Sequence, residues 1–419
     1  MARTNRGSLA SFFLRLGRQV WVRAALFTVI GIAIALIAGF VGPLLPFSVT
    51  IDLGQNAVGS LLQIIATAML TVSTFSVTAM VTAFSSATTT ATPRSTPLLI
   101  ADTTSQSAVS TFVGAFTYSL VGIVALSTPY YTEQGRTILF IGTLVVIGIV
   151  VFTLLRWISH LATFGRMADV IDRVEEAATS SLVAHATSPT LGARFLASIP
   201  AGARPVHAAT VGYVTHVDVS ALDRVARRHD LHVFVDAGPG RVADARVPLA
   251  HVGGAFDDDV ADAVRAAFRL ENHRTFEQDP RFGVIALTEI GSRALSPSTN
   301  DPGTAIEVIA ALQRVLTRAV TTDPDREVMY ERVFIAPSRL TDLVADAFRP
   351  LARDGAGHIE VQVRLQKCVA ALAASAPQHA DVFRDVGTAA YDRSRRALDR
   401  SDVRTLRAAM REAWSGVAR

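Results

Sequence analysis

Seven polar residues within one apolar stretch, Gln63, Thr67, Thr71, Thr74, Thr78, Thr82 and Ser85, are spaced so that a helix would carry them on one face. At about 100° per residue they fall within an arc of roughly 100°. Such a row offers oxygen ligands without fixed charge, the chemistry of a hydrated ion or solute path. Hydroxyl and small residues also let helices approach closely and bond across an interface, so a packing face is the competing reading. A second constellation lies in HRTFEQDPRFG and ALSPSTNDPGTA. There Arg274, Gln278 and Asp279 precede a helix expected to begin near Phe282, and Asn300 and Asp301 precede one expected at Pro302, with Asp301 as its cap. These five residues are either two structured helix connections or a pocket in which Arg274 binds an anion and Asn300 and Asp301 orient it.

Much other chemistry is excluded. Lys367 is the only lysine, in neither a phosphate-binding loop nor a hairpin tip that could carry a lipoyl or biotinyl group. Cys368 is the only cysteine, so no internal disulfide and no multi-cysteine zinc site can form. The histidines lack metal-site spacing, and there is no nucleophile elbow, dinucleotide fingerprint or calcium loop. Asp257, Asp258 and Asp259 are read as the negatively charged start of a helix, not as metal ligands. No catalytic residue, metal or cofactor is expected, and the chain is read as a non-enzyme.

The elements that would position these residues fall into two regimes. Half of the 419 residues are hydrophobic, only 18% are charged and the mean hydropathy is +0.35, against about 25% charge in an ordinary soluble domain. Most charge lies after residue 155. Four uncharged stretches precede it, at Ala24–Ile51, Val58–Phe84, Ser107–Tyr130 and Thr137–Leu155. Each can supply enough apolar length to cross a hydrocarbon core of roughly 30 Å. Arg3, Arg6, Arg15, Arg18 and Arg23 precede the first span, with no acidic residue before Asp52. This bias orients the N-terminus to the cytoplasm, and an even number of spans puts the C-terminus there too. It also accounts for the net charge of +4 without nucleic acid. Leu9, Phe12, Phe13, Leu16 and Val20 suit an amphipathic helix on the lipid surface. Thr111, Ala115, Ser119 and Gly122 form a small-residue row on the third span, suited to close packing. The loop after the second span is expected to be an irregular connector or a re-entrant gate with Arg94 as an anion contact.

The expected fold is therefore a membrane α-helical protein with four transmembrane helices and a cytoplasmic α+β domain. Residues 1–23 are the basic amphipathic segment and 24–155 the transmembrane domain. Residues 156–205 hold a helix continuing out of the membrane and a linker near Thr187–Arg204. Residues 206–253 form a small β-rich barrel or sandwich with one Ser220-capped helix, and 254–419 a helical subdomain in which YERVFIA is a lone extended segment.

The GAFTY stretch of the third span, GYVTHVDVSAL, and above all RTFEQDPRFG with RALSPSTNDPGTA, resemble a bacterial family of predicted membrane proteins known as domain of unknown function 2254. The resemblance covers nearly the whole chain. Arg274, Thr275, Gln278, Asp279, Phe282, Gly283, Ala294, Leu295, Ser296, Pro297, Asn300, Asp301, Pro302, Thr304 and Ala305 carry its pattern. It implies the membrane topology and supplies no activity; the run between Ser86 and Pro93 is longer than the family's connection. The near-absence of lysine and the abundance of alanine point to a GC-rich, actinobacterial source. Because four helices rarely enclose a path alone, a pore would need a homo-oligomer in the bilayer. The expected function is an oligomeric channel or transport-related protein whose cytoplasmic domain senses a small ion or anionic ligand. The alternative is a non-transporting sensor or scaffold whose second helix packs.

Overall fold

A computed structural model describes residues 20–41, 57–128, 133–325 and 327–417. The amphipathic segment expected before Val20 and the part of the first expected span beyond Val41 lie outside the described residues. The chain divides into two compact units, one of residues up to Thr89 with Thr96–Asp169, the other of Thr90–Ser95 with Val170 onward.

The first unit holds α1 (Val20–Val41), α2 (Ala57–Thr90), the short α3 (Thr96–Ile100), α4 (Thr103–Leu126) and α5 (Glu133–Leu161). Among the described residues, three helices are long and apolar enough to cross a membrane: Ala57–Thr90, Thr103–Leu126 and Gly135–Leu161. They answer to the second, third and fourth expected spans, and α1 covers the first expected span as far as Val41. The hydroxyl-rich run after Phe84 is no irregular connector, because α2 continues to Thr90. Its threonines donate to carbonyls one turn back, Thr88 to Phe84 O at 2.8 Å and Thr89 to Ser85 O at 3.0 Å. This occupies hydroxyls that would otherwise compete with the helix. α4 carries the buried face of the unit: Thr111, Ala115, Ser119 and Gly122 are all buried. Gly122 approaches α2 so closely that an added Cβ would stand 2.9 Å from Leu62 Cδ1, and one at Gly114 would stand 3.1 Å from Phe27 Cβ of α1. Tyr118, also buried, donates its hydroxyl to Leu139 O of α5 at 3.2 Å and bonds Thr143 at 3.0 Å, which satisfies the polar end of the ring where no water reaches.

The single helix expected to run on from the last span is interrupted. α5 stops at Leu161, Gly165 takes a left-handed φ of 75°, and α6 (Met167–Thr187) begins anew, belonging to the second unit from Val170 on.

The second unit continues through β1 (Ala193–Phe195), β2 (Arg204–Val206), β3 (Gly212–Val217), α7 (Val219–Arg228), β4 (His232–Val235), β5 (Val242–Ala243), β6 (Ala250–Gly253), α8 (Asp258–Ala266) and β7 (Phe268–Glu271). It then runs through α9 (Phe282–Ala294), α10 (Pro302–Val320), β8 (Tyr330–Ile335), α11 (Leu340–Asp354), α12 (Ile359–Ser375), α13 (Ala380–Ser394) and α14 (Arg400–Trp414). The strands form two small sheets, β1-β8-β4-β6-β2 and β5-β3-β7. These are wider than the barrel or sandwich expected over 206–253. β1 lies within the expected linker, and β8 is no lone segment: it runs parallel to both β1 and β4. Its alternation of buried Val333 and Ile335 with more accessible neighbours suits a sheet strand, but its partner β4 lies about a hundred residues away in sequence. α7 is capped by Asp218, whose carboxylate accepts from Ala221 N at 2.9 Å and from the Ser220 hydroxyl at 2.7 Å, so Ser220 is the cap's donor. α8 starts on Asp257, which accepts from Val260 N as a helix cap should. α9 and α10 begin at Phe282 and Pro302 as expected, and the helices after β7 surround a core that includes Leu287, Val308, Leu312, Phe348, Leu365 and Phe383.

Candidate functional site

In the second unit, parallel strands β4 and β8 end side by side at Val235 and Ile335. A cavity of about 470 Å³ opens beyond those ends, where side chains from four separate segments meet. Ligands of open α/β sheets bind in such crevices at the carboxyl ends of strands. α6 contributes His185, the turn after β4 contributes Gly238 to Arg241, the RTFEQDPRFG segment contributes Arg274, Gln278 and Arg281, and the β8–α11 connection contributes Ser338 and Arg339.

Asp279 organises this wall from behind. Its side chain is almost fully buried, and its Oδ2 accepts from Arg274 Nε at 2.6 Å. Oδ1 accepts from Arg274 Nη2 at 2.9 Å and from the amides of Arg281 and Phe282 at 3.1 and 3.2 Å. One carboxylate thus fixes the arginine fork and caps α9, and every strong interaction available to a buried anion is made. The turn must pass close over it. Gly240 has a φ of 87°, and an added Cβ would collide with the Asp279 carboxylate. Glycine is therefore required there on two grounds. Gln278 Oε1 accepts from Val217 N at 2.9 Å, tying the end of β3 to the same segment.

The other arginines differ in how far their charge is already met. Arg281 donates to Asp346 at 2.6 Å and lies 3.9 Å from Asp342, and its bond to Asp346 holds the guanidinium even more firmly charged than usual. Arg241 is more than half exposed; its Nη1 donates to the Asp236 carbonyl at 3.1 Å and makes a longer 3.4 Å contact with the Asp236 carboxylate. Arg339 is exposed and precedes α11, whose N-terminus has no side-chain cap. Burial pushes His185 below its ordinary value, against a bond to the Ser338 backbone and the nearby Asp279 charge, which leaves it neutral at pH 7.

Of the five residues singled out in this half, Arg274, Gln278 and Asp279 come together; Asn300 and Asp301 do not join them. Asp301 caps α10, accepting from Thr304 N at 3.1 Å and Thr304 Oγ1 at 2.6 Å, bonds that hold its carboxyl below the usual range. Asn300 takes a left-handed φ of 49° and donates its amide to Ser296 O at 2.8 Å, closing the turn between α9 and α10. That pair is a helix connection. Sequence reasoning missed His185, Arg241, Arg281 and Arg339, each from a different segment. The available signal was the passage from the end of YERVFI through Pro337, Ser338 and Arg339 into a helix, a strand-to-helix junction of the kind that binds anions. Arg94 is no open anion contact: it pairs with Glu289 of α9, which also accepts from Thr92 Oγ1 at 3.1 Å.

In the first unit, the seven residues from Gln63 to Ser85 are all exposed, and the packed face of α2 is the opposite one, with Leu62, Ile65, Ala66, Met69, Ser76 and Met80. Thr67, Thr71, Thr74, Thr78 and Thr82 each donate to the carbonyl four residues back at 2.9–3.0 Å. With its proton so placed, each hydroxyl keeps lone pairs for the outside. An open groove of about 700 Å³ runs along Gln63, Thr67 and Thr71. A polar cluster that sequence reasoning passed over joins Asp102, the cap of α4, to His160 Nε2 at 2.9 Å and to the Ser105 hydroxyl at 2.6 Å. Ser105 Oγ faces that same ring nitrogen at 3.4 Å, whereas a nucleophile triad needs serine and aspartate on opposite nitrogens. Among the described residues, no three histidine, cysteine, aspartate or glutamate side chains are grouped to hold a metal.

The family described as "Predicted membrane protein (DUF2254)" matches residues 17–371, most of the chain including both candidate sites. The chain belongs to this family. It is similar to the uncharacterized protein Mb1321c of Mycobacterium bovis and the uncharacterized protein Rv1290c of Mycobacterium tuberculosis. Each is 26% identical over 254 residues, covering 57% of this chain and 48% of the relative. The chain thus spans about half the length of the curated relatives it matches. No solved structure matches it significantly. The family and the three apolar helices make this a membrane protein.

Proposed function

We propose that this family member is an oligomeric channel or transport-related protein of the bacterial inner membrane, in which the hydroxyl face of α2 borders the solute path and a cytoplasmic α+β unit senses a ligand. The observation that carries the reading is the exposure of all seven polar residues along α2, on the side its own chain leaves uncovered. Oxygens whose protons are spent on backbone carbonyls face outward as acceptors, which suits a hydrated cation or a neutral solute. The cavity at the ends of β4 and β8 supports the sensing part: four arginines line it, donors suited to holding an anion.

The second reading, a sensor or scaffold without transport, is favoured by the same back-bonding. Satisfied hydroxyls are tolerated against another helix as well as against water. Ion flux through purified protein in liposomes separates the two. The channel reading expects flux that falls at least tenfold when Thr71, Thr74 and Thr78 are together replaced by Leu. Flux absent from both proteins contradicts it, and loss of the oligomer on the same substitution supports the packing face.

A further inference from the structure

We propose that the cavity at the ends of β4 and β8 is a binding site for a phosphate group, carried by a small organic monoester or by a lipid headgroup. This deepens the sensing part of the function above and rests on it only for its biological use.

Four arginines and two aspartates, Asp236 and Asp342, line the cavity; with Asp279 and Asp346 bonded to Arg274 and Arg281 from behind, the charges balance, so an anion is met by guanidinium N–H donors and not by net charge. A phosphate monoester carries about −1.5 to −2 charges at pH 7. The carboxylates that fix Arg274 and Arg281 tightly, Asp279 and Asp346, do not line the cavity. They hold the two guanidinium groups as a rigid floor, and the bonds to Asp279 use Arg274 Nε and Nη2, leaving Nη1 for a ligand. Arg241 and Arg339 are the exposed pair at the rim, and neither side chain makes a short ion pair. Planar guanidinium forks on two sides of one space suit a tetrahedral anion with several acceptor oxygens. The first turn of the 15-residue α11 adds backbone donors at the same place, since Ser338, Arg339 and Asp342 all line the cavity and no side chain caps the helix. The volume, about 470 Å³, leaves room beyond a bare phosphate for an organic body of modest size.

The test is calorimetric titration of the full chain in phosphatidylcholine nanodiscs. Three arms are compared: inorganic phosphate, AMP as a soluble monoester, and nanodiscs containing phosphatidic acid with AMP as competitor. Binding of AMP that is tighter than that of phosphate assigns a soluble ester. AMP binding that is suppressed by phosphatidic acid assigns a lipid headgroup. In either case Arg241→Gln and Arg339→Gln should each weaken binding by roughly tenfold, the loss of a charge-assisted hydrogen bond, with the melting temperature unchanged. Arg349→Gln, outside the cavity, should leave binding unaltered. The proposal is overturned if neither phosphate nor AMP binds, or if the double variant R241Q/R339Q binds as the natural protein does. Intact binding without any effect on liposome flux leaves the site standing and removes the sensing role, so the two failures are told apart.

Discussion

α2 and α4 each carry a row of small or hydroxyl residues, and the structure treats the two rows in opposite ways. On α4, Thr111, Ala115, Ser119 and Gly122 are buried against the neighbouring helices, close enough that a single added Cβ at Gly122 would crowd Leu62. On α2, the row from Gln63 to Ser85 is exposed over its whole length. Composition alone does not separate a packing seam from an open face. The difference lies in the opposite side of each helix: α2 has Leu62, Met69 and Met80 to bury instead, whereas α4 packs on several sides. The same contrast between spent and open groups recurs around the cavity of the second unit, where Arg274 is locked to Asp279 and Arg339 is not.

The contrast can be broken most severely at its most committed residue. Arg274→Ala should cost about 3–5 kcal/mol, because it strands the buried Asp279 charge; Arg339→Ala should change stability by less than about 0.5 kcal/mol. Denaturant unfolding of the full chain in detergent reads both, and equal small effects would remove the distinction. Next in size, Gly122→Leu on the buried row should destabilise by about 1–3 kcal/mol through overpacking. Thr74→Leu on the exposed row should leave the melting temperature of the monomeric protein nearly unchanged.

A smaller effect follows from His185. Burial lowers its pKa in the folded chain, so between that value and the ordinary 6.5 the unfolded chain binds the extra proton. Stability should therefore rise with pH through this window and be full above about 6.5, the slope disappearing in His185→Gln. A pH titration of the melting temperature measures it, and an unchanged slope in the variant would place the titrating group elsewhere.

Much of this was legible in the sequence, and the pattern of misses has a physical cause. Periodicity located the apolar helices and nearly all helices after residue 254, because those signals are local. Asp301 and Pro302 declared a helix start, and Asp279 was marked out by its neighbours. The strand pairings were not legible, since β8 finds β4 about a hundred residues away, and with them went the cavity, whose walls are assembled from segments that share no local pattern. The Ser86–Thr90 run was read as a loop because hydroxyl residues favour loops; their bonds to carbonyls one turn back kept it helical. Whether the polar row of α2 was packed or open could not be read from α2 at all, because the answer depends on which face its neighbours chose.

Substituted-cysteine accessibility tests the open face most directly. The chain lends itself to this, since the thiol of its single cysteine, Cys368, is buried, which pushes its pKa up to about 12 and leaves it unreactive. On a Cys368→Ala background, the variants Thr71→Cys, Thr78→Cys, Ala115→Cys and Phe75→Cys would be exposed in liposomes to a membrane-impermeant methanethiosulfonate. The channel reading predicts rapid modification at the exposed positions 71 and 78, and none at the buried position 115 or at position 75, exposed on another side of α2. Cysteines at 71 and 78 as silent as that at 115 would contradict a water-lined face and leave the row as a seam between helices.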